Sequence, residues 1–177
     1  MRTKIKLWGA ALLAAAVAAL AAVTAPPPAS AAALTEVTNF GTNPSNLRMY
    51  LYVPDNVAPR PGLLVVSHYC TGSGPAMHTG TQFAALADRY GYIVVYPSVT
   101  RSSKCFDVSS PQALRRDGGS DPVGIKSMID YVRARYPVDG DRIFATGTSS
   151  GAMMTNVLLG VYPDVFAAGA AFAGVPF

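Results

Sequence analysis

Beyond Ala31 the chain opens on alternation. Leu34 to Phe40 and Leu47 to Val53 each switch between apolar and polar positions, the signature of half-buried strands. The turn formers Gly41 to Asn46 between them predict an antiparallel hairpin. Gly62 to Ser67 is instead almost uniformly apolar, as a strand covered on both faces should be, and Tyr92 to Pro97 repeats that pattern. Between these lie a glycine-rich loop, His68 to Gly74, and a helix over Thr81 to Tyr90. That helix's spacing places Phe83, Leu86, Ala87 and Tyr90 on one buried stripe, with Gly91 just past its end. Ser98 to Gly119 is long, polar and irregular. A second helix follows, with Asp121 as N-cap, Pro122 at its first turn, and Ile125, Met128, Ile129 and Val132 on its apolar face. Arg142 to Thr146 reads as a strand, Ala152 to Leu159 as a helix and Val165 to Ala173 as a last strand. Strands alternating with helices after a hairpin imply an α/β sandwich with a mostly parallel central sheet. Ligands of such sheets sit at the carboxyl ends of the strands.

The leader changes the compartment. Arg2, Lys4 and Lys6 precede an Ala/Leu run from Leu7 to Val23, which ends in small residues at Ala29-Ser30-Ala31. This is the form of a secretory signal peptide over residues 1–31, an uncleaved anchor being the rival. Those three bases belong to the 14 Lys+Arg, whereas none of the 10 Asp+Glu lies in the leader. The remainder is nearly neutral, so nothing points to nucleic acid, and no later run is long enough to span a membrane. Residues 32–177 suffice for one domain. The two cysteines, Cys70 and Cys105, both lie in the exported part. A disulfide across the long loop is the expectation and a metal pair the rival, a poor one without clustered histidines.

One motif carries chemistry. Gly147-Thr148-Ser149-Ser150-Gly151 lies between a predicted strand and a predicted helix, and G-x-S-x-G in that context makes a nucleophile elbow. Ser149 then stands at a strained turn, Gly147 and Gly151 let strand and helix close together, and the free N–H of Ser150 faces a developing oxyanion. The rival reading is a Gly/Ser-rich strand-to-helix loop, with Ser150 as the second candidate nucleophile.

The stretches VTNFGTNPSN, HYCTGSGP, KCFDVSS, GGSDPVGI, GTSSGAMMTN and YPDVFAAGAAFAGVPF resemble secreted acetylxylan esterases, relatives of feruloyl esterases and polyhydroxybutyrate depolymerases. The resemblance runs in order along nearly all of residues 32–177. It implies an α/β-hydrolase fold and hydrolysis of acetyl esters on xylan through a Ser-His-Asp triad without a cofactor. By the same resemblance Ser149 is the nucleophile, Cys70 contributes an oxyanion-hole N–H beside that of Ser150, and Cys70 pairs with Cys105. Feruloyl-ester or polyester hydrolysis by the same elbow, or carbohydrate binding without chemistry, are the alternatives.

The triad is not complete in this sequence. In this fold the acid and then the histidine follow the serine, yet His68 and His78 both precede Ser149, and Asp164, the one acid after it, sits where a surface role is expected. The chain therefore reads as the N-terminal part of an α/β-hydrolase, incomplete at its C-terminus. Little activity of its own is expected from it, and exposed apolar surface over Ala167 to Phe177 predicts poor solubility. His68 is expected to hold the adjacent loop, and His78, on the loop that follows, to sit at a solvated rim.

Overall fold

The computed structural model describes residues 32–177; the signal peptide expected over residues 1–31 lies outside the described residues. Among the described residues, β1 (Thr35–Val37) and β2 (Arg48–Tyr52) form the expected antiparallel hairpin. The elements β3 (Leu63–Ser67), α1 (Gly74–Gly80), α2 (Phe83–Tyr90), β4 (Ile93–Ser98), α3 (Asp121–Arg133), β5 (Ile143–Thr148), α4 (Ser150–Val161) and β6 (Ala168–Phe172) follow. The strands make one six-stranded sheet in the order β1-β2-β4-β3-β5-β6. β4, β3, β5 and β6 run parallel, while β1 and β2 extend the sheet antiparallel at one edge.

Two cores sandwich this sheet. On one face Met49, Leu63, Val65, Ile93, Val95 and Ile143 meet α3 and α4 through Ile125, Met128, Ile129, Val132, Met154 and Leu158. On the other, Tyr50, Tyr52, Val66, Val94 and Tyr96 meet Met77 of α1 and Ala87 of α2. All six residues of β4 are buried, as the uninterrupted apolar run requires. Each fully buried Val or Ile contributes about 1.5–3 kcal/mol relative to an exposed side chain. The sheet is not covered uniformly. All five residues of β6, the edge strand, are exposed, and so is Phe144 of β5.

Three local expectations are corrected. The segment Gly74–Gly80 is a helix, not part of a loop: Ser73 caps it by accepting from the Ala76 N–H, and Pro75 lies in its first turn. On α2 only Ala87 is buried; Leu86 and Tyr90 face solvent because the helix rests on the sheet along one narrow line. The N-cap of α3 is Ser120, with Asp121 the first helical residue. Asp121 is 0% exposed and has another task, described below.

Candidate active site

The elbow is built by leaving atoms out. Ser149 adopts φ 55 and ψ −118, a left-handed backbone that a side chain rarely occupies and that persists only where surroundings enforce it. Here they do. A Cβ on Gly147 would lie 2.4 Å from the Gly151 carbonyl, and one on Gly151 would lie 2.2 Å from the Ser67 carbonyl oxygen. The first turn of α4 thus rests directly on the end of β3, and both elbow glycines are sterically required. The Ser149 N–H donates to the Phe172 carbonyl at 2.9 Å, which ties the turn to β6. Ser149 is half-buried at the carboxyl end of the sheet, in register beside the end of β3, where Ser67 pairs with Gly147. Ser150, by contrast, is buried and its hydroxyl donates to the His68 carbonyl at 3.4 Å, so it is turned away from the role of nucleophile. Among the described residues the backbone N–H groups of Ser150 and Cys70 donate to no protein acceptor.

The facing loop is built by adding bonds. Cys70 and Cys105 form a disulfide that ties the loop after β3 to the irregular segment before α3, and the Thr71 N–H donates to the Ser103 carbonyl at 3.2 Å. His68 is 0% exposed. Its Nδ1 lies 2.6 Å from the Tyr69 carbonyl oxygen, which can only accept, so Nδ1 carries the proton. Nε2 then accepts from the Val99 N–H at 3.0 Å. Burial lowers the pKa of His68 below the usual histidine value, against the opposing pull of the Tyr69 carbonyl. Neutral and doubly bonded, His68 bridges the ends of β3 and β4, the structural part expected of it.

Beneath this loop lies a network that sequence reasoning missed. Arg101 Nη1 and Nη2 donate to the two oxygens of buried Asp121 at 2.9 and 2.6 Å, and Nη2 also donates to the Cys105 carbonyl at 2.7 Å. The Asp107 N–H donates to Asp121 as well, and Asp107 accepts from the Ser110 and Ser120 hydroxyls. Burial raises the Asp107 pKa, but those hydrogen bonds outweigh it and the net direction is down. The available signal was the Ser-Asp-Pro opening of α3, which reads equally well as an ordinary helix start.

Neither histidine is placed as a base for Ser149. His68 is occupied at both ring nitrogens. His78 is on α1, half-buried between the rings of Tyr52 and Tyr96 at 5.3 and 5.7 Å, which corrects the solvated rim position expected for it. Asp164 sits in the turn after α4 with its side chain 61% exposed, bonded to Arg116, which pulls its pKa down to about 2. That is a surface role. Among the described residues no group of His, Cys, Asp or Glu could hold a metal, and no helix is long and apolar enough to cross a membrane.

A sheet of this order with a strained serine between β5 and α4 defines the class: this is the α/β-hydrolase fold. Comparison with known proteins narrows the class. The chain belongs to the Esterase PHB depolymerase family, which it matches over residues 46–177. It is 50% identical over 145 residues to feruloyl esterase B of Talaromyces stipitatus, covering 82% of this chain and 40% of that protein. Against acetylxylan esterase A of Aspergillus oryzae the identity is 49% over 144 residues, covering 81% and 47%. The chain therefore spans about half the length, or less, of the curated relatives it matches. Among solved structures, acetyl xylan esterase from Aspergillus awamori superposes with a TM-score of 0.80 at 46% identity, over 81% of this chain and 53% of that one. A poly(3-hydroxybutyrate) depolymerase from Bordetella parapertussis, TM-score 0.64 at 19% identity, shares the fold.

Proposed function

We propose that the protein is a secreted serine carboxyl-ester hydrolase that removes acetyl groups from xylan, with Ser149 as nucleophile. The observation that carries this reading is the backbone of Ser149, held at positive φ between two glycines that have no room for a Cβ. Similarity to proteins named acetylxylan esterase supports the substrate, and the signal-like residues 1–31 support secretion. Ser149 Oγ attacks the ester carbonyl while a histidine takes its proton. The Ser150 and Cys70 N–H groups receive the oxyanion, the sugar hydroxyl leaves, and water releases acetate from the acyl-enzyme. The helix N-terminus beneath Ser150 adds a favourable dipole. No cofactor or metal enters this scheme, and no nucleic acid or membrane partner is proposed.

The base is taken to come from outside these residues, because both ring nitrogens of His68 are hydrogen-bonded and His78 lies on α1 between the Tyr52 and Tyr96 rings. In a longer form of the protein that carries a downstream histidine, Ser149→Ala should lower acetate release from acetylated xylan by about 10⁴-fold or more. The 177-residue chain should release little acetate. Turnover that survives Ser149→Ala in the longer form sinks the assignment of the nucleophile. Acetate release by the short chain, abolished by the same substitution, sinks the statement about the base. The equal similarity to feruloyl esterase B gives a second reading, feruloyl-ester hydrolysis at the same elbow; relative rates on acetyl, feruloyl and hydroxybutyrate esters decide it.

A further inference from the structure

Beside the loop that begins at Cys70, the carboxyl edge of the sheet opens into a groove of about 470 Å³. Its place follows from topology. β3 hands the chain to α1 and α2 on one face, whereas β4 hands it to α3 on the other, so the loops leaving these neighbouring strands diverge. The switch point of this sheet, where the connections leave in opposite directions, lies between β3 and β5 at the elbow. The groove lies one to two strands to its side, along the same carboxyl edge where open α/β sheets bind ligands. One wall is Ser73 and Pro75 at the start of α1; the other is Ser98 and Thr100 after β4. The walls are fixed to one another. The Gly74 N–H donates to Ser98 Oγ at 3.1 Å, His68 bridges to Val99 behind them, and the disulfide secures the segment bearing Lys104. A groove held open in this way loses little freedom when it is filled.

Its charge is specific. Arg48, at one end, is neutralised by Glu36 and lies over the Tyr50 ring at 5.2 Å. Arg101 nearby is spent on Asp121. Among the described residues Lys104 has no carboxylate partner within salt-bridge distance, and no carboxylate lines the groove. Lys104 is exposed at a tight turn with φ 49, closed by its own N–H donating to the Arg101 carbonyl, and Cys105 anchors the next position. The groove thus offers hydroxyls along its walls and a single free ammonium at its end.

We propose that this groove takes a carboxylate-bearing sugar, a uronic acid residue carried on the polysaccharide, with its carboxylate on Lys104 Nζ. The proposal rests on the polysaccharide-esterase reading and deepens it: the substrate is an acidic, branched xylan rather than a neutral one. Ser149 follows β5, and β4 and β2 lie two and three strands away, so the groove is roughly 10–14 Å from the elbow. That separation puts it over neighbouring sugars of the same chain, not over the reacting ester.

The test is binding by a longer form of the protein at low salt, followed by NMR or calorimetry. The probes are a xylo-oligosaccharide bearing one uronic acid and the unbranched oligosaccharide of the same length. The acidic probe should bind about two- to five-fold more tightly, the range an exposed ion pair supplies. The preference should vanish in Lys104→Gln and at about 1 M salt, where charges are screened within about 3 Å. Lys104→Gln should leave affinity for the neutral probe, and labelling of Ser149 by a serine-reactive probe in a longer form, unchanged. Equal affinity for the two sugars, a preference that survives Lys104→Gln, or no binding of the acidic probe overturns the proposal. Because the readout is binding, the same measurement in Ser149→Ala separates its failure from a failure of the esterase reading.

Discussion

The two halves of the candidate site are made by opposite means. The elbow is a contact between backbones, in which Gly147 and Gly151 exist so that nothing intervenes. The facing loop is a set of cross-links through Cys70–Cys105, His68 and Arg101–Asp121. A steric device tolerates no added atom but is indifferent to solvent conditions, since no titratable or reducible group takes part. A bonded device tolerates no lost atom, and it responds to pH and to reductant. The same sheet edge therefore carries one element that only mutation can disturb and one that the surroundings can.

The largest expected effect falls on the elbow. Gly151→Ala should destabilise the fold by about 3 kcal/mol or more, because the new methyl meets the Ser67 backbone rather than a movable side chain. Gly80→Ala, where a Cβ meets nothing within 4 Å, is the control and should stay within about 1 kcal/mol of the parent. If the two melt alike in denaturant, the steric account fails. Next comes the disulfide, whose ends are 35 residues apart; its loss in Cys105→Ser should cost about 3–4 kcal/mol. Hydrogen exchange then sharpens the contrast: amides at Thr71 and at residues 98–120 should speed up on reduction while Met153 and Thr155 in α4 hold. Uniform acceleration would mean that the two devices are not separable.

The smallest effect is that of pH. The folded pKa of His68 is lowered, so the unfolded chain takes up this proton first. The stabilisation from neutral His68 is complete above the ordinary histidine pKa and is lost as pH falls through the lower folded value. Lys104 and Asp121 are the charges that act on it, the first lowering and the second raising its pKa. His68→Gln, which keeps an acceptor for Val99 but does not titrate, should flatten stability between about pH 6.5 and the onset of carboxylate titration. A slope that persists in His68→Gln assigns it to another group.

The elbow was legible because its determinants are local: a β-prone run, two glycines at fixed spacing and a helix-forming run are adjacent in the chain. The hairpin, the buried strands and the stripe of α3 were legible for the same reason, since period and burial coincide there. α1 was hidden because Gly72 and Gly74 made Ser73-Gly74-Pro75 look like loop, although a capping residue shortly before a proline is the kind of start signal that was recognised as Asp121-Pro122 at α3. The exposed Leu86 and Tyr90 show periodicity without burial: spacing places residues on one face but does not say how much of it the sheet covers. The Arg101–Asp121 pair joins positions 20 apart through an irregular loop, and no period links them.

The bond from the Ser149 N–H to Phe172, with that from Thr146 Oγ1 to the Ala170 carbonyl at 2.8 Å, has a consequence in time. At ordinary synthesis rates β6 follows the serine by roughly one to five seconds. The hairpin, β3, β4 and the disulfide-bearing loop find their partners among residues that precede Ser149, whereas the strained turn is fixed by a strand that follows it. The strained serine is written into the chain before the strand that clasps it.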